Sequence, residues 1–96
     1  MISIEDIKFY YKKDAEKFFR KHEAVRQTFK VDVVKVINRD HTEQVNVKPL
    51  QGRFKGYSRI AIGGYRIIYK IENGEIIVVD VAYAGSRGDV YKRFQG

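Results

Sequence analysis

The 96-residue chain has no cysteine, a single proline and two histidines. Without thiols it forms neither a disulfide nor a thiolate metal site, which fits a reducing compartment. His22 and His41 alone cannot complete a zinc site, so no metal or other cofactor is expected. No apolar run approaches the roughly 20 residues of a membrane span. Met1 to Glu5 has neither the basic nor the apolar stretch of a signal peptide. The expectation is a soluble, cytoplasmic protein. Internal repeats, low-complexity segments and Pro/Gly/Ser linkers are also missing, so residues 1–96 read as a single domain with one core.

The most informative absence is that of acid. Between Gln44 and Ile71 there is no Asp or Glu, while Lys48, Arg53, Lys55, Arg59, Arg66 and Lys70 all carry positive charge. The formal net charge is +7. A basic excess confined to one stretch points to an anionic partner, with nucleic acid ahead of a membrane surface or an acidic protein.

What is present divides at about residue 50. A first short strand is expected at Ile4 to Phe9. Tyr11, Ala15, Phe18, Phe19 and His22 then recur at helical spacing, which predicts an amphipathic helix over 12–21 with a basic outer face and His22 at its C-terminal end. Val25, Phe29, Val33, Val36 and Ile37 continue with a second helical stripe over 23–38, although its β-branched density favours strand. A polar loop follows around His41. Val45 to Leu50 reads as an extended segment that Pro49 confines to a sheet edge or strand end.

From Tyr57 the period changes to two. Residues 57–62, the Gly63-Gly64 turn and residues 65–71 form a hairpin, and Asn73-Gly74 closes a second one with a strand over 75–84. A two-residue turn at Gly63-Gly64 sets Ala61 opposite Arg66 and Arg59 opposite Ile68. Arg59, Ala61, Arg66 and Ile68 then share one face, while Ile60, Ile62, Tyr65, Ile67 and Tyr69 share the face that the helices cover. The same counting through Asn73-Gly74 would bury Asp80 under the helices, where an unpaired carboxylate is costly. A one-residue bulge at that turn would carry Asp80 to the arginine face, where it could pair with Arg66. Asp89 to Phe94 reads as a short C-terminal helical segment.

Leu50-Gln51-Gly52-Arg53, the stretch from Tyr57 to Tyr69, and Gly85-Ser86-Arg87-Gly88-Asp89-Val90-Tyr91 resemble the RelE/ParE superfamily of bacterial and archaeal toxins. The resemblance implies an α+β fold, with two N-terminal helices on a small twisted antiparallel sheet and a short C-terminal helical segment. It implies a cognate antitoxin as partner. It also implies one of two activities: RelE-like members cut mRNA in the ribosomal A site, and ParE-like members poison DNA gyrase without cutting nucleic acid. A third reading, an inactive module that binds antitoxin or RNA, also stays open.

Carried across one residue at a time, the resemblance assigns catalytic roles to Arg59, Arg66, Arg87 and Tyr91, of which Arg87 and Tyr91 match the cleaving branch. Arg53, Lys55, Lys48, Lys70 and Lys92 are expected to hold RNA. Two positions depart from the pattern. Ala61 stands where a second basic residue is common, and Ser86 replaces a histidine. Cleavage of this class uses the ribose 2'-OH as nucleophile and leaves a 2',3'-cyclic phosphate and a 5'-hydroxyl. Arginine suits the phosphate because its fork matches the oxygens and stays charged, but it is a reluctant proton carrier. Tyr91 is expected to stack on a base.

Overall fold

In the computed structural model, which describes residues 1–90, the second helical stripe overrides its β-branched content. Helix α2 spans Glu23–Asn38 and buries Phe29, Asp32 and Val33. Tertiary packing of that face outweighs intrinsic propensity, as is usual for helices in proteins. The first helix, α1, spans Lys13–Lys21 and buries Ala15 and Phe19. His22 ends α1 and begins α2, and its Nδ1 lies 2.9 Å from the carbonyl oxygen of Phe18. Arg26 holds the hairpin of helices together, with its guanidinium 3.1 Å from Glu16 of α1 and 3.2 Å from Glu23. Helix α2 ends at Arg39 in the left-handed region (φ 53°), and the N–H of Asp40 donates to the carbonyl of Lys35.

The strands are β1 Ile7–Tyr11, β2 Asn46–Pro49, β3 Ser58–Ile62, β4 Tyr65–Asn73 and β5 Ile77–Ser86. They form one sheet in the order β1-β5-β4-β3-β2. Both helices pack on one face, where Phe19, Phe29, Val33, Ile60, Ile67, Tyr69, Val79 and Val81 make the main core. This is the α+β architecture implied by the resemblance, with two corrections. The first strand begins later than expected, because Ile4–Asp6 forms a 3-10 turn capped by Ser3. It also pairs in parallel with β5, Ile7 opposite Ile77, so the sheet is mixed and not wholly antiparallel.

The β3–β4 hairpin has the expected register: Ala61 is opposite Arg66 and Arg59 is opposite Ile68. Pro49 ends an edge strand, where its missing N–H costs no ladder bond. The second hairpin differs. Asn73 pairs with Ile77, so three residues, Gly74 to Ile76, make the loop, and β5 carries its bulge further along, at Ala82 between Tyr83 and Val81. Asp80 does reach the arginine face, but opposite Lys70. Lys70 lies two same-face positions from Arg66, about 13 Å along the strand. The expected Asp80–Arg66 pair is overturned by that register.

The arginine face is not bare. Leu50, Ile68, Tyr83 and Val90 form a second, smaller apolar cluster there, flanked by Phe54, Tyr57 and Ala82. The segment between β2 and β3 therefore folds back over one end of this face.

Candidate functional site

Two rows of side chains cross the arginine face. In one, Lys48, Arg59, Ile68 and Tyr83 are successive partners on β2, β3, β4 and β5; in the next, Asn46, Ala61, Arg66 and Gly85 are. Ala61 puts almost no side chain beside Arg66, and on the other side the place of a Gly85 side chain is taken by the Tyr83 ring. A hollow of about 390 Å³ on this face is lined by Lys48, Arg59, Arg66, Arg87 and Val90. Ala61, a departure from the family pattern in sequence, here contributes space.

Each cation is held differently. An Nη2 hydrogen of Arg59 points to Asn46 Oδ1 at 3.4 Å. Arg66 donates through Nη1 to the carbonyls of Gly63 and Tyr65, at 3.0 and 2.9 Å, so the hairpin turn fixes its guanidinium. Arg87 is exposed, but its backbone N–H donates to the carbonyl of Gly64 at 2.9 Å, which fastens the end of β5 to the same turn. The Ser86 hydroxyl donates to Asp89 Oδ2 at 3.1 Å and stiffens the turn that carries Arg87. Among the described residues that line the hollow there is no carboxylate. Like charges directly opposite across strands, such as Lys48 and Arg59, are destabilising. The cleft therefore carries a standing repulsion that a bound anion would relieve.

Four residues singled out in the sequence thus surround one hollow: Arg59, Arg66, Arg87 and Lys48. Arg53, Lys55 and Lys70 do not line it. Arg53 stacks over Phe54 at 5.1 Å, Lys55 is exposed beyond the 3-10 turn at Gly52–Phe54, and Lys70 sits 3.8 Å from Glu72 and 5.5 Å from the centroid of the Tyr57 ring. Tyr91 and Lys92 lie outside the described residues, as does most of the expected C-terminal helical segment. Val90, buried beneath the cleft, is not singled out by the sequence, because a lone valine after a polar turn carries no periodic signal. Among the described residues no group of His, Asp and Glu is placed to hold a metal ion, and no helix is long and apolar enough to cross a membrane.

Residues 4–87 match the family described as the ParE toxin of type II toxin-antitoxin system, parDE. The chain belongs to this toxin family. The toxin matches no curated protein sequence. Its fold is shared with a copper-bound mutant toxin from Helicobacter pylori, at a TM-score of 0.66 and 15% identity over 86% of this chain and 97% of that one. YafQ from Escherichia coli aligns with a TM-score of 0.60 and 20% identity over 88% of this chain and 96% of its own. The RelB-RelE antitoxin-toxin complex from Methanococcus jannaschii gives 0.56 and 24% identity over 88% and 96%. The toxin is thus a RelE/ParE superfamily member, and at these identities the likeness to solved structures speaks for the fold.

Proposed function

We propose that this toxin is a ribosome-dependent endoribonuclease that cleaves translated mRNA, and that Arg59, Arg66 and Arg87 hold the scissile phosphate. The observation that carries the reading is a hollow whose described lining holds three arginines and Lys48 and no carboxylate. The ribose 2'-oxygen attacks the adjacent phosphorus, the bond from phosphorus to the 5'-oxygen breaks, and a 2',3'-cyclic phosphate and a 5'-hydroxyl result. Arginine forks aimed at the phosphate oxygens stabilise the charge that builds up at phosphorus. Lys48 adds a point charge at the mouth, and Arg53, Lys55, Lys70 and Lys92 serve RNA backbone outside the cleft.

The arginines do not carry the protons. The 2'-OH must lose one and the leaving 5'-oxygen must gain one, and a group with a pKa above about 12 does neither well. Alignment by the ribosome reduces the demand on acid–base catalysis, so free RNA is expected to be a poor substrate. Tyr91 supplies a stacking surface for a base next to the cut. By analogy with the RelB-RelE complex, a cognate antitoxin holds the toxin inactive.

The deciding experiment maps 5' ends on messages during induction, for the wild type and for Arg87→Ala and Tyr91→Phe. New ends in codon phase, lost in the variants, are expected. Toxicity with intact messages overturns the reading. The family match favours one alternative, inhibition of DNA gyrase. It predicts double-strand breaks and an SOS response in the same cells while messages stay whole.

A further inference from the structure

A second hollow lies on the other side of the same sheet end. About 420 Å³ in volume, it opens between α1 and the last residues of β5. Its walls alternate with those of the arginine cleft along the chain. Tyr65 lines the hollow and Arg66 the cleft; Ser86 lines the hollow and Arg87 the cleft; Asp89 lines the hollow and Val90 the cleft. The two spaces are therefore separated by one strand start and one turn, and a ligand that rounds the Gly63-Gly64 turn reaches both.

The chemistry of the two spaces differs. The hollow has an aromatic corner, in which His22 stacks on Phe18 at 4.2 Å and Tyr65 meets both rings edge-on, at 4.9 and 5.1 Å. Lys17 and Lys21 stand on its α1 side, and Asp14 and Asp89 add two carboxylates. Four consecutive residues of β5, Tyr83 to Ser86, also line it. Consecutive strand residues point to opposite faces, so a run of four shares one space only along the strand edge. The pairing of β5 with β1 ends before this run, at Val81.

Carboxylates exclude a phosphate from this hollow. They do accept hydrogen bonds from ring and exocyclic N–H groups, while the lysines suit a carbonyl oxygen and the aromatic corner suits a ring face. A planar heterocycle with donors and an acceptor on one edge satisfies all three features. We propose that the hollow receives one unpaired base of the RNA strand whose phosphate sits in the arginine cleft, and that it prefers guanine, which offers N1–H, N2–H and O6 together. This rests on the RNA-cleaving reading, and it makes Tyr65 and Asp14 residues of base selection, distinct from the arginines that hold the backbone. An acidic peptide is the competing occupant of a space flanked by lysines, but Asp14 and Asp89 oppose it.

The test measures binding of two single-stranded RNA hexamers of equal length across a salt series: all uridine, and uridine with one central guanine. The wild type is expected to bind the guanine strand roughly tenfold tighter. Tyr65→Leu and Asp14→Asn are expected to bring that ratio close to unity with the salt slope unchanged, while Arg59→Ala lowers the slope and keeps the ratio. Salt-dependent binding with no guanine preference, or a preference that survives both hollow variants, overturns the base pocket alone. Absence of RNA binding by the wild type overturns the base pocket, while the 5'-end mapping in cells decides the functional reading separately. As a check that needs no variant, the ring signals of His22 and His41 are followed by NMR in the folded wild type. The guanine strand is expected to move His22 and leave His41 in place; movement of His22 by an acidic peptide and not by RNA overturns the proposal.

Discussion

The backbone N–H of Arg87 donates to the carbonyl oxygen of Gly64 across 2.9 Å, so the residue after β5 is fastened to the turn that also fixes Arg66. One turn thus sets both residues at the same hollow, Arg66 by its guanidinium and Arg87 by its main chain. If the fork of Arg87, and not its charge alone, stabilises the phosphate, Arg87→Lys behaves more like Arg87→Ala than like the wild type. A loss of roughly 100-fold in cleaved ends is expected for both. Full activity in the lysine variant, read by 5'-end counts at matched expression, would remove the fork from the account.

Lys48 and Arg59 face each other across β2 and β3, a like-charge pairing that costs stability. Lys48→Ala is expected to raise unfolding free energy by roughly 0.5 kcal/mol while weakening RNA binding. The slope of log affinity against log salt should flatten by about 0.7 for each backbone contact removed. Urea unfolding and a salt titration on the same protein check both halves.

Gly85 has no room for a side chain, because a Cβ there would lie 2.2 Å from the Tyr83 hydroxyl oxygen and 2.7 Å from Cζ. Tyr83 is buried in the small cluster behind the cleft and cannot simply swing away. Gly85→Ala should cost about 1–3 kcal/mol by overpacking. In a Tyr83→Leu background the same change should cost much less, and a double-mutant cycle measures the coupling. Equal costs in both backgrounds would mean that the ring is not the obstacle.

Tyr69 is buried between the sheet and α2, opposite Ser58. Burial pushes its hydroxyl up to about 12 from an ordinary 10, against a lowering by Ser58 and with a further push from Asp32. The folded state keeps this proton longer than the unfolded chain. The stability involved is complete below pH 10 and is lost as pH rises towards 12, about 2 to 3 kcal/mol in all. Tyr69→Phe should show a shallower alkaline decline than the wild type in denaturant midpoints between pH 9 and about 12. Superimposable declines would place the loss elsewhere.

Elements with strong local signals are legible in the amino-acid sequence. Helix α2 has the bounds that its apolar spacing predicts, and the Gly63-Gly64 turn determines which residues accompany Arg59 and Arg66. Asp80 shows where local reading stops. Asn73-Gly74 is a strong signal for a two-residue turn, yet the loop holds three residues, and only that extra residue brings Asp80 to the open face. The bulge at Ala82, the parallel partner of β1 and the apolar cluster under the cleft depend on contacts between distant segments, which a period of two cannot specify. At the site, Arg59 and Arg66 are visible as charge in an acid-free stretch, and Arg87 through the family resemblance. The hollow they line is not, because it depends on the small Ala61 beside Arg66 and on the bond that ties Arg87 to the Gly63-Gly64 turn.

The parallel ladder between β1 and β5 joins residues 70 positions apart, Ile7 to Ile77. Pairing at that separation is slow, and it cannot start before residue 77 has been synthesised. A growing chain can already have both helices and the β3–β4 hairpin while its first strand waits without a neighbour. Arg87 comes later still, and with it the bond to Gly64 that completes the cleft. The cleft is thus among the last parts of the described fold that synthesis allows to assemble, because Arg66 and Arg87 are joined through the Gly63-Gly64 turn only after β5 is in place.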